Sequence, residues 1–252
     1  VKKILILALC ISAANVNAQN LKSLLNKALV SDSSKQQNTL SNLLKSGTTN
    51  NGLSTTDIAA GLKEALQVGT KRGVEKLSAV DGFFKDAAIK ILLPPEAQKI
   101  EKTLRSMGLN KPVDDAILSM NRAAEDAAKS AVPIFVNAIQ QITFQDAVGI
   151  LKGSDSAATK YLHERTALPL TNAFKPVVQK SLAATDATKY WETMVATYNK
   201  IPFVKKVNTD LSAYVTDKAL SGIFYQVAQE EQKIRKDPVA QTTDLLKRVF
   251  GK

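Results

Sequence analysis

From Val113 to Ala138 the apolar positions fall at alternating steps of four and three: Val113, Ile117, Met120, Ala124, Ala127, Ala131, Ile134 and Ala138. A strand repeats every two residues, so a period of about 3.5 sustained over more than three heptads is a helical signal. The alanines at the centre of the seam constrain packing as well. Small side chains on a contact line let neighbouring helices approach closely, so this stretch is expected to lie against other helices at short range. Pro133 falls inside the pattern. A helix-interior proline loses one hydrogen bond and clashes with the carbonyl four residues earlier, so a kink or break is expected there. The seam can be covered by helices of the same chain or by a second copy, which leaves a monomer and a helix-mediated dimer both open.

Helical punctuation recurs through the rest of the chain. Ser54 with Asp57 forms a capping box, and Ile58, Leu62 and Leu66 follow it at helical spacing. Gly69 and Gly73 lie four apart in that helix, where they cost about 1 kcal/mol each relative to alanine but admit a neighbouring backbone. A second helix follows Pro94-Pro95, runs to about Met107 and stops at Gly108. Thr143 with Asp146 opens another that ends near Gly153, and Ser154 or Asp155 opens the next. Pro169 and Pro176 are expected to break up that region. After Asp210, positions Leu220, Ile223, Phe224 and Val227 form an apolar face. Only the segment 201–207, IPFVKKV, reads as extended, and it is short. The expected class is all-α: a multi-helix bundle of mostly antiparallel amphipathic helices with a close-packed alanine-rich seam, forming a single domain over residues 54–252.

The front of the chain reads differently. Lys2 and Lys3 precede eleven apolar-core residues, Ile4 to Ala14, and Val16-Asn17-Ala18 is a small-residue cleavage site. That core is too short for a permanent span, which needs about 20 residues. Residues 1–18 are therefore expected to be a cleaved secretory signal. A lipoprotein signal built on Cys10 would need a small residue before the cysteine, where Leu9 stands. Residues 19–53 form an arm: a short leucine stripe (Leu21, Leu24, Leu25, Leu29), a second at Leu40, Leu43 and Leu44, and the polar linker SGTTNNGLSTT. Such an arm can dock on the body, stay disordered, or lie on an anionic membrane.

Loss of the signal would remove the only cysteine, leaving no disulfide, thiol nucleophile or thiolate ligand. It would also lower the formal charge of +11 by the two lysines, to +9. A basic exported protein is attracted to anionic membrane or envelope polymer, and nucleic acid is not the partner that compartment offers. Lys99, Lys102, Arg105, Lys205 and Lys206 are the candidate contacts for such a surface.

Reaction centres are scarce. One histidine and no remaining cysteine argue against zinc, and no calcium-loop spacing occurs. GTKRG lacks the ending of a phosphate loop. His163 has no Gly-x-Ser-x-Gly to serve, and is expected at the surface. The carboxylate pairs Asp114-Asp115, Glu125-Asp126 and Glu230-Glu231 sit in helices with bases three or four residues away. Arg122 with Glu125 and Asp126, and Glu231 with Arg235, are expected to be helix-supporting ion pairs. Trp191, Val195 and Tyr198 share one helix face, which is core spacing first; with Tyr190 they offer a ligand platform second. No cofactor is implied. At the C-terminus Asp237 is expected to cap a last helix with Pro238 at its first position, with Leu245, Leu246, Val249 and Phe250 as its apolar stripe and Gly251 as its stop.

Taken together, DIAAGLKEAL (57–66), SMNRAAEDAA (119–128), ITFQDAVGIL (142–151), AATKYLHERT (157–166) and the run from YVTDKALSGIF to KDPVAQTTDLLKRVFG resemble a bacterial family known as domain of unknown function 4197. The resemblance covers about residues 54–251 and implies an exported, largely helical protein of Gram-negative bacteria, with no activity to carry over. It also implies that the position of His163 is not a fixed histidine. The function expected is non-catalytic binding of a protein partner, envelope component or ligand in the periplasm. The rivals are a peripheral binder of anionic surfaces and a carboxylate-based hydrolase.

Overall fold

Ser54 and Asp57 satisfy one another as their spacing predicts. The serine hydroxyl accepts from the Asp57 amide at 3.1 Å and the aspartate accepts from the Ser54 amide at 3.2 Å, which opens α1 (Thr55–Ser78). The structure, a computed structural model, describes residues 54–250 apart from 201, 202, 204, 205, 208 and 209. The expected signal (1–18), the arm (19–53), Lys205, Gly251 and the side chains of Tyr190 and Tyr198 lie outside the described residues. After α1 come a 3-10 turn (Pro95–Ala97), α2 (Gln98–Ser106), α3 (Asn110–Ala128), α4 (Ala131–Gln140), α5 (Phe144–Lys152), α6 (Ala157–Ala183), α7 (Asp186–Tyr198), α8 (Leu211–Lys236) and α9 (Asp244–Phe250). The fold is an all-α bundle.

The alanine seam lies at its centre. Eleven of the nineteen residues of α3 are buried, so the helix is enclosed on most sides and not along one stripe. Met120, Ala123, Ala124, Ala127 and Ala128 have no exposed surface, and α1, α2, α6, α7 and α8 all pack on this helix. Only small side chains allow so many neighbours. The seam is thus covered from within the chain. Its helix breaks earlier than Pro133 itself: α3 ends at Ala128, and Pro133 becomes the third residue of α4. The proline ring excludes the carbonyl of residue 129, so the turn opens there, and in a first turn the missing N–H has no partner to lose.

Two expectations fail for physical reasons. Pro169 and Pro176 do not break α6, which runs unbroken for 27 residues with both inside it. The carbonyls they leave without donors belong to Arg165 and Asn172, and all four residues are exposed, so the lost bonds fall on the solvent side of the helix, where they cost least. The buried positions of α6 follow a strict step of four, from Ala158 and Leu162 to Val178 and Leu182. At 3.6 residues per turn each step rotates the stripe by about 40°. The contact line therefore winds round α6, which touches α3, α4, α5, α7 and α8 in turn. Asp237 does not start the last helix either. Its carboxylate accepts from the Val239 amide at 2.9 Å in a local turn, and the buried Gln241 amide donates to Ile234 O at 3.0 Å, closing the end of α8. Thr243 caps α9 instead, accepting from Leu246 N at 3.2 Å.

Helix α1 carries a row of small residues at steps of four: Gly61, Ala65, Gly69 and Gly73. Cβ atoms added at Gly69 and Gly73 would lie 3.3 Å from Ile234 Cδ1 and from Gln226 Cγ. Since α8 descends as α1 ascends, the two are antiparallel and nearly in backbone contact. At Gly61 an added Cβ would stand 2.7 Å from Val249 Cγ2, which seats α9 on the same groove. Leu246 is fully buried there with Ala65 and Ile234. Deleting residues 237–252 removes this cover. The loss is expected to be about 3 kcal/mol, or ~6–12 °C in Tm for a domain this size, read by thermal unfolding; an unchanged Tm would make the segment a free tail.

Candidate functional site

Glu125 pairs with Arg122 as its spacing predicts, and it is buried, at 3% exposure. One carboxylate oxygen accepts from two consecutive amides, Phe83 N at 3.1 Å and Phe84 N at 3.3 Å, and the other accepts from Arg122 Nη1 at 2.6 Å. Arg122 Nη2 donates in turn to Asp81 at 2.6 Å, and Lys85 pairs with the same aspartate at 2.8 Å. These bonds hold the Asp81 carboxyl below the usual range, the lysine and arginine hydrogen bonds being the main cause. Asp81 has φ 69°, a left-handed conformation that a non-glycine residue keeps only when its neighbours enforce it. One turn earlier on α3, the fully buried Asn121 accepts from Ile91 N at 2.9 Å and donates to Ile91 O at 2.8 Å. The irregular segment 79–94 is therefore pinned by side chains at i and i+4 of the central helix.

Glu231 and Arg235 repeat the device on α8. Glu231 accepts from Ala158 N at 3.0 Å, Thr159 N at 2.8 Å and Thr159 Oγ1 at 2.7 Å, so it caps α6, whose own Ser156 makes no side-chain cap. Arg235 pairs with Glu231 at 2.9 Å and donates to Ile150 O at 2.9 Å, at the C-terminal end of α5. A carboxylate thus faces the positive end of one helix and a guanidinium the negative end of another. Their side chains are 4% and 12% exposed.

The other acids of the three candidate pairs also have partners. Glu230 accepts from Lys233 at 2.7 Å and from the buried Gln226 at 3.2 Å. Asp126 does not pair with Arg122, as expected from spacing; it points outward to Lys129 at 2.8 Å and Ser181 Oγ at 3.1 Å, and these bonds, Lys129 first, lower its pKa. Asp114 pairs with Arg105 and Asp115 with Lys111. His163 is exposed, its ring centroid 4.5 Å from that of Phe224. Among the described residues no three His, Cys, Asp or Glu side chains converge as metal ligands, and no helix is long and apolar enough to cross a membrane.

Trp191 does not offer a platform: it is 1% exposed, with its indole N–H unpartnered among the described residues. Of the candidate surface cations, Lys99, Lys102 and Lys206 are exposed, while Arg105 is half-buried and bound to Glu101 and Asp114. The structure does not gather these into one constellation.

What it does bring together lies elsewhere. Residues 88–92 cross α8 and leave a cleft of about 420 Å³ walled by Lys90, Leu92, Lys218, Ser221 and Tyr225. The Tyr214 hydroxyl fastens one end, donating to Leu92 O at 3.0 Å. At the other, Phe83 packs against Gly222, where a side-chain carbon would collide with its ring. None of the ten lining residues is acidic. A sequence reading misses this site because its two walls are more than 120 residues apart. Phe250, Glu231 and Arg235 line a second cavity between α1, α8 and α9 of about 20 Å³, room for little more than one water.

Glu125→Ala leaves the Phe83 and Phe84 amides without their acceptor and Glu231→Ala those of Ala158 and Thr159, and each is expected to cost about 3 kcal/mol in urea unfolding. Asp115→Ala, at an exposed pair, is expected to change stability by less than ~0.5 kcal/mol. The fold is also expected to lose stability in acid. Asp81, Asp126, Asp146 and Asp210 all have lowered values, Asp146 chiefly through the Thr143 amide and Asp210 through the Ser212 hydroxyl. Their contribution is complete above the ordinary aspartate value of 3.8 and disappears as pH falls below it, so Tm should drop there and not on the neutral side.

No curated protein and no solved structure matches this chain. A family model described as Protein of unknown function (DUF4197) matches residues 52–251, which takes in the whole helical domain from the first capping box to the end of α9. The chain belongs to that family.

Proposed function

We propose that the domain is a non-catalytic binding protein of the periplasm, exported by residues 1–18 and acting through a ligand or partner without transforming it. The supporting observation is how its acidic groups are used. The three carboxylates buried in the bundle, Glu125, Glu230 and Glu231, each hold backbone amides or a base, and none opens into the 420 Å³ cleft. Hydrolysis by paired carboxylates needs two acids facing a common space with a reactive position between them. The cleft instead presents ammonium, hydroxyl and apolar groups, which suit binding, and no carboxylate lines it.

The protein without residues 1–18 is expected to release no product across a panel of glycoside, ester, peptide and phosphoester substrates. Turnover that disappears on substituting Glu125, Glu231 or His163, in a variant that still folds, would overturn the proposal.

A further inference from the structure

The clefts differ most in charge. The groove between α6, α7 and α8 includes Glu192 and Asp210, and the one beside Pro94 mixes Lys206 with Glu96 and Asp210. The groove between α4 and α6 has a single cation, Arg165, whose guanidinium lies 5.2 Å from the Tyr161 ring centroid. The cleft of residues 88–92 has two cations and no acid, and at about 420 Å³ it is larger than these three.

Neither of its lysines has a carboxylate partner among the described residues. Lys90 Nζ rests 4.0 Å from the Phe84 ring centroid, and Lys218 Nζ lies 5.7 Å from that of Tyr214. An ammonium over an aromatic face is positioned without being neutralised, so its charge stays available to a ligand. The two come from opposite walls. Around them stand the Ser221 hydroxyl, the half-exposed Tyr225 ring and the apolar side chains of Ile89 and Leu92, the latter 55% exposed. Outside the lining, the Asp86 carboxylate accepts from the Ala88 amide at 3.1 Å and pairs with Lys76, and Glu96 and Asp217 act on Tyr214, whose pKa is raised first by burial and then by those charges. The wall itself is rigid: Asn121 fixes Ile91 on both backbone groups and Tyr214 fixes Leu92. A cleft of this volume falls within the range that holds a small organic molecule.

We propose that this cleft binds a small amphiphilic anion, a carboxylate, phosphate or sulfonate head on an apolar body, with Lys90 and Lys218 on the head and Tyr225, Ile89 and Leu92 on the body. The assignment rests on the reading that the chain binds its ligand without transforming it.

The probe is 1-anilinonaphthalene-8-sulfonate, titrated by fluorescence into the helical protein with its N-terminal arm present. Saturable binding is expected, weakened about tenfold or more in the Lys90→Ala/Lys218→Ala variant. It should also be lost in Ser221→Phe, which fills the cleft and leaves both lysines. Lys99→Ala/Lys102→Ala, with the same charge removed elsewhere, should bind as the parent does. Octanoate is expected to displace the probe and neutral 1-octanol to fail at the same concentration. Thermal unfolding unchanged across the variants keeps the comparison on the site. Equal binding by parent and Lys90→Ala/Lys218→Ala, or displacement by octanol as effective as by octanoate, would overturn the assignment. Neither result touches the absence of turnover, and turnover found with the substrate panel would leave this binding result standing.

Discussion

Two buried glutamates hold the bundle's weakest joints. Each ends on two consecutive backbone N–H groups of a distant segment, Glu125 on Phe83 and Phe84, Glu231 on Ala158 and Thr159, and each is balanced by an arginine three or four residues away on its own helix. A buried carboxylate is costly unless its charge and lone pairs are met, and here amides and guanidinium meet them together. The polar groups therefore join parts that packing alone leaves loose: the irregular segment 79–94, the uncapped start of α6 and the open end of α5. Alanine-lined α3 and the small-residue row of α1 bring the helices close enough for these side chains to reach.

This arrangement bears on function. Glu125, Glu230 and Glu231, among the acids that the sequence offers as catalytic pairs, are committed to architecture, and the segment that Glu125 secures becomes one wall of the 420 Å³ cleft. Glu125 and Asn121 fix residues 83–91 against α3, and Tyr214 fixes Leu92 against α8. Two lysines then face the same space with no acid among the residues lining it. Structure and proposed binding share one origin, the side chains that immobilise an extended loop on a helical scaffold.

Much of the fold was legible in the residues. The capping boxes at Ser54 and Thr143, the stop at Gly108, the close approach at Gly69 and Gly73 and the apolar face after Asp210 are local signals, and local chemistry decides them. Pro169 and Pro176 misled because their effect depends on whether the freed carbonyls reach water, which only the packed helix reveals. The Asp237-Pro238 pair misled because the same aspartate can close a turn or start a helix, and Gln241 favours the turn. The candidate site was hidden for another reason. Spacing shows that Arg122 can meet Glu125, but nothing in it shows that Phe83 lies within reach, or that Lys90 and Lys218 flank one cleft.

Amide hydrogen exchange on the native protein tests the role of the buried glutamates most directly. Slow exchange at Phe83, Phe84, Ala158 and Thr159 is predicted in the parent. Glu125→Gln should speed only the first two and Glu231→Gln only the last two, with the rest of the bundle protected. Fast exchange at all four amides in the parent, or protection unchanged in both variants, would contradict the account and return these acids to the pool available for chemistry.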